Sequence, residues 1–203
     1  MGTMAGCIAE RRRDIPATRA MLVAVSGIDA SGKGYVARGL SVALEPLRVA
    51  IIGVDDWLNV PSIRFTDTDR ASHFYRCAFR FDEMFEQLVL PLRDRRSIRV
   101  VCARATETAQ ELSPHEYVFE DVDVILLEGI FLLKKSLLHH YDWSIWVDCP
   151  WESALRRAVV RNQEGMPPEA TQKVYKELYF PAQAIHLRYE DPIATADTVI
   201  ANA

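Results

Sequence analysis

The chain has 203 residues, of which 49% are hydrophobic and 26% are charged, and its formal net charge is −4. This length suits one domain with a sizeable core and is short for two. The negative charge argues against broad nucleic-acid binding, which needs a basic surface, so a bound polyanion has to be held in a local pocket. No apolar run approaches the length of a membrane span, so no membrane partner is expected.

The four cysteines are widely separated and form neither a C-x-x-C pair nor a metal-binding pattern with histidine. Reduced thiols are typical of cytosolic proteins, so we expect a cytoplasmic location. Residues 11–13 are arginines, but no hydrophobic stretch follows before Met21, and a secretory signal is therefore not expected. We predict a flexible N-terminal arm over residues 1–20 and a single domain over residues 21–203.

From Met21 onward, strand and helix patterns alternate, which predicts an α/β fold with a parallel sheet wrapped by helices. The predicted strands are residues 21–25, 48–54, 98–103, 122–127, 143–147 and 198–200. The predicted helices are residues 35–44, 81–95 (kinked near Pro91), 151–161 and about 169–189. Residues 98–103 are expected in a small hairpin beside the sheet. Residues 55–72 are polar and irregular, which favours a substrate loop.

The most informative segment is residues 27–35, which read G-I-D-A-S-G-K-G-Y between a predicted strand and a predicted helix. This pattern is typical of a phosphate-binding P-loop, because glycines and the helix N-terminus direct N–H groups at the phosphates while the lysine reaches the β- and γ-phosphates. The alternative is a tight turn in which glycine only relieves the backbone. The expected ATP-binding residues are Gly27, Asp29, Ala30, Ser31, Gly32, Lys33, Gly34 and Tyr35.

Position 34 departs from the usual pattern. A serine or threonine normally follows the lysine and provides a hydroxyl ligand to Mg²⁺, whereas this chain has Gly34. The departure affects the metal site more than the phosphate cradle.

Acidic residues that follow predicted strands are the candidates to complete a kinase site, because the carboxyl ends of parallel strands meet at one edge of the sheet. Glu128 is predicted to hold Mg²⁺, although a strand-end acid can also simply face solvent. Asp55 is predicted to orient or deprotonate the acceptor hydroxyl and to stand close to the metal, with Asp56 as the second choice. A turn-forming role for Asp55 is the alternative.

Arg157 and Arg161 are four residues apart and share one face of a predicted helix. They precede a segment rich in glycine and proline, so we predict that residues 157–168 form a lid that brings a guanidinium to the transferred phosphate. A solvated basic face is the alternative. Trp57, just after Asp55, either stacks on a planar substrate or packs under the loop.

Taken in order, these segments resemble the uridine kinase and phosphoribulokinase family of P-loop kinases. The matching segments are the loop at 27–33, D-D-W at 55–57, A-F-R-F-D at 78–82, L-E-G-I-F-L at 127–132, the arginines of the predicted lid helix, and A-D-T-V-I at 196–200. The resemblance covers nearly the whole chain from Met21. It implies a five-stranded parallel sheet flanked by helices, with a small β-element and a helical lid, and ATP and Mg²⁺ as ligands.

In residue terms, the resemblance implies that Lys33 clamps the phosphates and that Asp55 is the base for the acceptor hydroxyl. Glu128 would be a Mg²⁺ ligand, and Arg157 and Arg161 would be lid arginines.

Departures from the family concern the acceptor. Arg76 stands where uridine kinases carry an aspartate for the ribose diol, and residues 101–106 lack the Tyr-Asp and His that recognise the nucleoside there. A site that loses such hydrogen-bonding groups loses its preference, so uridine itself is not expected. Together with Arg64, Arg70 and Arg80, Arg76 makes an anionic acceptor such as a sugar phosphate a hypothesis, and we expect Arg76 and Arg80 to contact the substrate.

The sequence thus predicts an ATP-dependent kinase that phosphorylates a hydroxyl of a small metabolite (a nucleoside, a sugar or a sugar phosphate), with a homo-oligomer possible. Two alternatives stay open. One is a nucleoside monophosphate kinase, which the arginines near the acceptor loop would suit. The other is a nucleotide-binding regulator with weak or no catalysis, to which Gly34 points.

Overall fold

A computed structural model describes residues 2–163 and 165–202. Its main sheet has five parallel strands in the order β2-β5-β1-β6-β7, and β3 pairs with β4 in a separate antiparallel hairpin. The strands are β1 Met21–Gly27, β2 Val49–Gly53, β3 Ile98–Arg104, β4 Ser113–Phe119, β5 Val124–Gly129, β6 Trp143–Asp148 and β7 Thr198–Ala201. The predicted sheet and hairpin are confirmed, with strand ends shifted by up to two residues.

Helices cover both faces of the sheet. They are α1 Gly2–Arg13, α2 Lys33–Ala43, α3 Pro61–Arg64, α4 Arg70–Cys77, α5 Phe81–Met84, α6 Leu90–Arg95, α7 Trp151–Arg161, α8 Pro168–Val174, α9 Phe180–Glu190 and α10 Pro192–Thr195. The segment predicted to be irregular at 55–72 instead contains α3 and the start of α4. Short helices there lack the long hydrophobic period from which a helix is recognised in sequence.

Two π-helical turns interrupt the helices predicted over residues 81–95 and about 169–189. Phe85–Val89 joins α5 to α6, and Tyr175–Tyr179 joins α8 to α9. Each turn is followed two residues later by a proline, Pro91 or Pro181. Proline has no N–H to donate and crowds the preceding turn, and widening that turn accommodates it.

Within the segment predicted to be a flexible arm, residues 2–13 form α1. Ala5 and Ile8 are buried with residues of β1 and α2, and Ile8 is fully inaccessible. Arg12 donates a hydrogen bond of 3.0 Å to the Ile15 carbonyl oxygen. The large apolar residues of α1 are few and are followed by three consecutive arginines, so the sequence pattern alone gave little sign that this segment packs.

Among the described residues, no helix is long and apolar enough to cross a membrane.

Candidate active site

The loop between β1 and α2 has the tight geometry of a phosphate cradle. A Cβ atom at Gly27 would lie 2.6 Å from both the Ser31 hydroxyl oxygen and the Val147 carbonyl oxygen, so only glycine fits there. Gly32 has φ +96°, in the left-handed region that glycine adopts without strain. No side chain caps the N-terminus of α2, so its first N–H groups remain available for an anion.

A cleft of about 480 Å³ opens at the carboxyl ends of the strands. Six of the predicted nucleotide-binding residues line it: Asp29, Ala30, Gly32, Lys33, Gly34 and Tyr35. The other two, Gly27 and Ser31, are buried within the loop and do not line the cleft. The Lys33 side chain is only 7% exposed, and its Nζ donates a hydrogen bond of 3.0 Å to the Ile28 carbonyl oxygen. The lysine is thereby held against the loop that it is predicted to serve.

Asp55 and Glu128 lie together on the wall of this cleft. Residues Gly53 and Glu128 are in register on the neighbouring strands β2 and β5, which brings Asp55, just after β2, and Glu128, near the end of β5, to the same edge of the sheet. Enclosure by the protein, followed by the negative charges of Asp29 and Glu128, raises the pKa of Asp55 to about 7. The Asp55 side chain is nevertheless exposed to the solvent of the cleft, so screening by water weakens this effect. Burial also raises the pKa of Glu128, against the opposing charges of Lys33 and Arg38.

This pair of carboxylates fits a Mg²⁺ ion held jointly by protein, nucleotide and water. Carboxylate oxygens are preferred Mg²⁺ ligands, and a divalent cation would offset the negative charge of Glu128 that contributes to the raised pKa of Asp55. No group of three or more His, Cys, Asp or Glu side chains forms a self-sufficient metal site within the described ranges. Gly34 supplies no hydroxyl, so Asp55 and Glu128 are the protein groups that would hold the ion.

The predicted lid arginine Arg161 contacts the phosphate loop. Its Nη2 lies 3.3 Å from Asp29 Oδ1 and 3.2 Å from the Tyr175 hydroxyl, and that hydroxyl also donates a hydrogen bond to Asp29. Although burial opposes ionisation of Asp29, the charges of Arg161 and Lys33 and the bond from Tyr175 hold its pKa below the usual value. Helix α7 is therefore joined to the loop by an ion pair at the edge of the cleft.

Arg157 lies one helical turn earlier and also lines the cleft. Its Nη1 donates to the Asn202 carbonyl oxygen at 3.0 Å and lies 3.3 Å from Cys149 Sγ. Asn202 Nδ2 in turn donates to the Ser31 carbonyl oxygen at 2.7 Å. Arg157 and the segment after β7 thus support the outer side of the phosphate loop.

The other end of the cleft has an apolar floor and a polar rim. The floor residues are Leu58, Phe74, Phe79, Ile130 and Tyr179. At the rim, Arg64 donates to the Glu107 carbonyl oxygen, and Gln163 donates to the Glu107 carboxylate. Since Gln163 follows α7 and Glu107 lies between β3 and β4, the cleft is bridged at its mouth.

Three predicted substrate residues lie outside the cleft. Trp57 is fully buried and stacks on Tyr117 with ring centroids 6.2 Å apart, so the packing alternative is the correct one. Arg80 is 8% exposed, bonds to Glu83 at 2.6 Å and to the Ala103 carbonyl oxygen, and holds the hairpin against α5. Arg76 is exposed on α4 and faces Asp69 at 3.9 Å. A position in or just after the predicted substrate loop therefore did not decide whether a side chain lines the cleft.

Around the phosphate loop, Arg38, Tyr175, Gln183 and Asn202 are residues that had not been predicted from the sequence. Gln183 Oε1 accepts a hydrogen bond of 2.6 Å from the Asp29 backbone N–H, linking α9 to the phosphate loop. Tyr175 and Gln183 lie about 150 residues from Asp29, and no local pattern marks such a contact. Of these residues, only Arg38 could have been found from the sequence, because it lies four residues after Gly34 on the same face of α2.

A parallel five-stranded sheet with a P-loop at its central strand and acids beside it defines the P-loop kinase fold. The model of the phosphoribulokinase and uridine kinase family matches residues 22–176, and the chain belongs to that family. It is 28% identical to a uridine kinase of Staphylococcus haemolyticus over 184 residues, covering 88% of this chain and 86% of that protein. It is 30% identical to uridine-cytidine kinase B of Dictyostelium discoideum over 167 residues, covering 79% and 67% respectively.

Solved structures show the same fold. A possible uridine kinase from Bacillus stearothermophilus superposes with a TM-score of 0.72 at 20% identity, over 97% of this chain and 96% of that one. A putative fructose transport system kinase from Silicibacter gives the same TM-score and identity over 98% of both chains. The predicted family and fold class are confirmed.

Proposed function

We propose that the protein is an ATP-dependent kinase that transfers the γ-phosphoryl group to a hydroxyl of a small molecule. The observation that carries this proposal is the meeting of the phosphate loop, Lys33 and the Asp55 carboxylate in one cleft. Phosphoryl transfer requires positioning and charge stabilisation more than covalent chemistry. A phosphate cradle, a buried lysine and a carboxylate with a pKa near 7 meet those requirements.

The residues have distinct roles in this proposal. Asp55 accepts a hydrogen bond from the acceptor hydroxyl and then its proton, while Lys33 and the N–H groups at the start of α2 hold the phosphates. Arg161 leaves Asp29 for the transferred phosphoryl group when the nucleotide fills the cleft, and Arg157 supports the loop. Mg²⁺, when bound by Glu128 and Asp55, neutralises charge that develops on the phosphates.

The acceptor that suits the far end of the cleft is uncharged. Asp55 and Glu107 stand near that end, and both add negative potential, since Glu107 raises the pKa of Asp55. Of the four arginines named from the sequence, Arg64 is the one on the cleft wall, and its guanidinium donates to the Glu107 backbone carbonyl oxygen. The apolar floor favours a flat or weakly polar ring. A nucleoside or a sugar therefore suits this site better than a sugar phosphate or a nucleoside monophosphate.

The test is ADP release from ATP and Mg²⁺ with separate panels of nucleosides, sugars, sugar phosphates and nucleoside monophosphates, using Lys33→Ala as the blank. Stimulation by an uncharged acceptor is the expected result. Stimulation by nucleoside monophosphates alone would identify the nucleotide kinase instead. The relatives named uridine kinase make uridine the first nucleoside to try, although the chain lacks the family's uracil-recognising groups in residues 101–106.

Gly34 is the specific observation behind a second function, a nucleotide-binding regulator. A chain that has lost the hydroxyl ligand to Mg²⁺ can retain ATP binding without turnover. That alternative predicts tight ATP binding, no acceptor-dependent ADP release with any panel, and no gain of activity in Gly34→Ser.

A further inference from the structure

Arg38 occupies the space beside Gly34. A Cβ atom at position 34 would lie 3.3 Å from Arg38 Nη1 and 3.9 Å from Cζ. The two residues are four apart on α2, and helical side chains lean toward the N-terminus, over the preceding turn. The guanidinium is therefore directed back toward the phosphate loop and not away along the helix.

The same space adjoins the predicted metal-binding carboxylate. The Cβ position at Gly34 lies 3.8 Å from Glu128 Oε1, and Arg38 lines the cleft together with Lys33. Among the hydrogen bonds and ion pairs formed by residues 2–163 and 165–202, none involves the Arg38 side chain. The guanidinium therefore has no direct ion-pair partner, although its charge acts on the nearby Glu128 carboxylate.

We propose that Arg38 is a phosphate-binding residue. Its guanidinium supplies positive charge beside position 34, where the usual P-loop has the serine or threonine whose hydroxyl binds Mg²⁺. The proposal rests on the nucleotide binding of the proposed function. Gly34 then has a positive role, because a side chain there would crowd the guanidinium. A planar guanidinium donates two parallel hydrogen bonds to phosphate oxygens, which a serine hydroxyl does not. Nucleotide binding should consequently depend less on divalent metal than in a loop with serine at this position.

The experiment is calorimetric titration of ATP into the full chain, once with EDTA and once with excess Mg²⁺. Arg38→Gln removes the charge at similar length, and Arg38→Lys keeps the charge without the fork. The matched control is Arg48→Gln, which removes a charge from an exposed arginine just before β2, at the opposite end of the sheet from the cleft.

In EDTA, Arg38→Gln should weaken ATP binding at least about tenfold, Arg38→Lys should weaken it less, and Arg48→Gln should leave it unchanged. In Mg²⁺ the loss in Arg38→Gln should be smaller. Gly34→Ser should also weaken binding in EDTA, and combining it with Arg38→Gln should add little, because both changes act on the same contact.

Equal ATP affinities of the wild type, Arg38→Gln and Arg48→Gln in EDTA would overturn the inference. If the wild type still binds ATP and phosphorylates an acceptor, only the role of Arg38 fails. If the wild type binds no ATP under either condition, the proposed function fails with it.

Discussion

Replacing Asp55 with asparagine should impair catalysis and stabilise the fold. Asparagine cannot take the proton of the acceptor hydroxyl, so turnover should fall by about two to four orders of magnitude while ATP binding is retained. Stability should rise because the ionised carboxylate is partly desolvated in the cleft and faces the negative charges of Asp29, Glu128 and Glu107. A functional group that opposes folding is expected at a site selected for chemistry.

The size of the gain follows from the pKa. A rise from 3.8 to about 7 corresponds to at most about 4 kcal/mol, at about 1.36 kcal/mol for each tenfold change in proton affinity. The Asp55 side chain contacts the water of the cleft, which screens these charges, so roughly 1 to 2 kcal/mol is expected.

The sign of the pH dependence is also fixed. Below about pH 4 the Asp55 carboxyl is protonated in both the folded and the unfolded protein, so it does not lower the stability of the fold. Between about pH 4 and pH 7 only the unfolded chain has released the proton, so wild-type stability falls as the pH rises and then levels off.

The assay is urea unfolding of the wild type and Asp55→Asn at about pH 5 and about pH 8. At each pH the free energy of unfolding of the variant is compared with that of the wild type, and the two differences are then compared. The advantage of Asp55→Asn should grow with pH. Asp56→Asn is the matched control: Asp56 accepts a 2.7 Å hydrogen bond from Arg104, so its replacement should lower stability at both pH values. An advantage that is absent, or that does not change with pH, would refute the electrostatic account of Asp55.

Three further outcomes are expected. The value of kcat/KM should rise with pH up to about 7 as Asp55 ionises, and a profile flat from about pH 5 to pH 8 would assign the base elsewhere. Tyr175→Phe should lower kcat more than it raises KM for ATP, because the hydroxyl orients Asp29 and Arg161; unchanged kinetics would make that network structural only. Ile8→Ala should lower the free energy of unfolding by about 2 to 5 kcal/mol, whereas an unchanged stability would indicate that this segment is a flexible arm.

The sequence by itself determined the sheet, the phosphate loop and the acids at the strand ends. These features depend on local patterns: a buried strand is a continuous apolar run, a phosphate loop is a strand, glycines and a helix in succession, and parallel strands place their following residues at one edge. Lys33, Asp55 and Glu128 could therefore each be predicted from the residues next to them in sequence, and all three line the same cleft.

Only the tertiary structure decided which residues near Asp55 face the cleft and which face the core. Trp57 lies two residues after Asp55 and Arg80 lies after the predicted substrate loop, yet packing against the β3–β4 hairpin buries both. Conversely, Tyr175, Gln183 and Asn202 reach the phosphate loop from the far end of the chain. Such contacts depend on how helices and the last strand pack across the sheet, and neither hydrophobic periodicity nor a short motif records that packing.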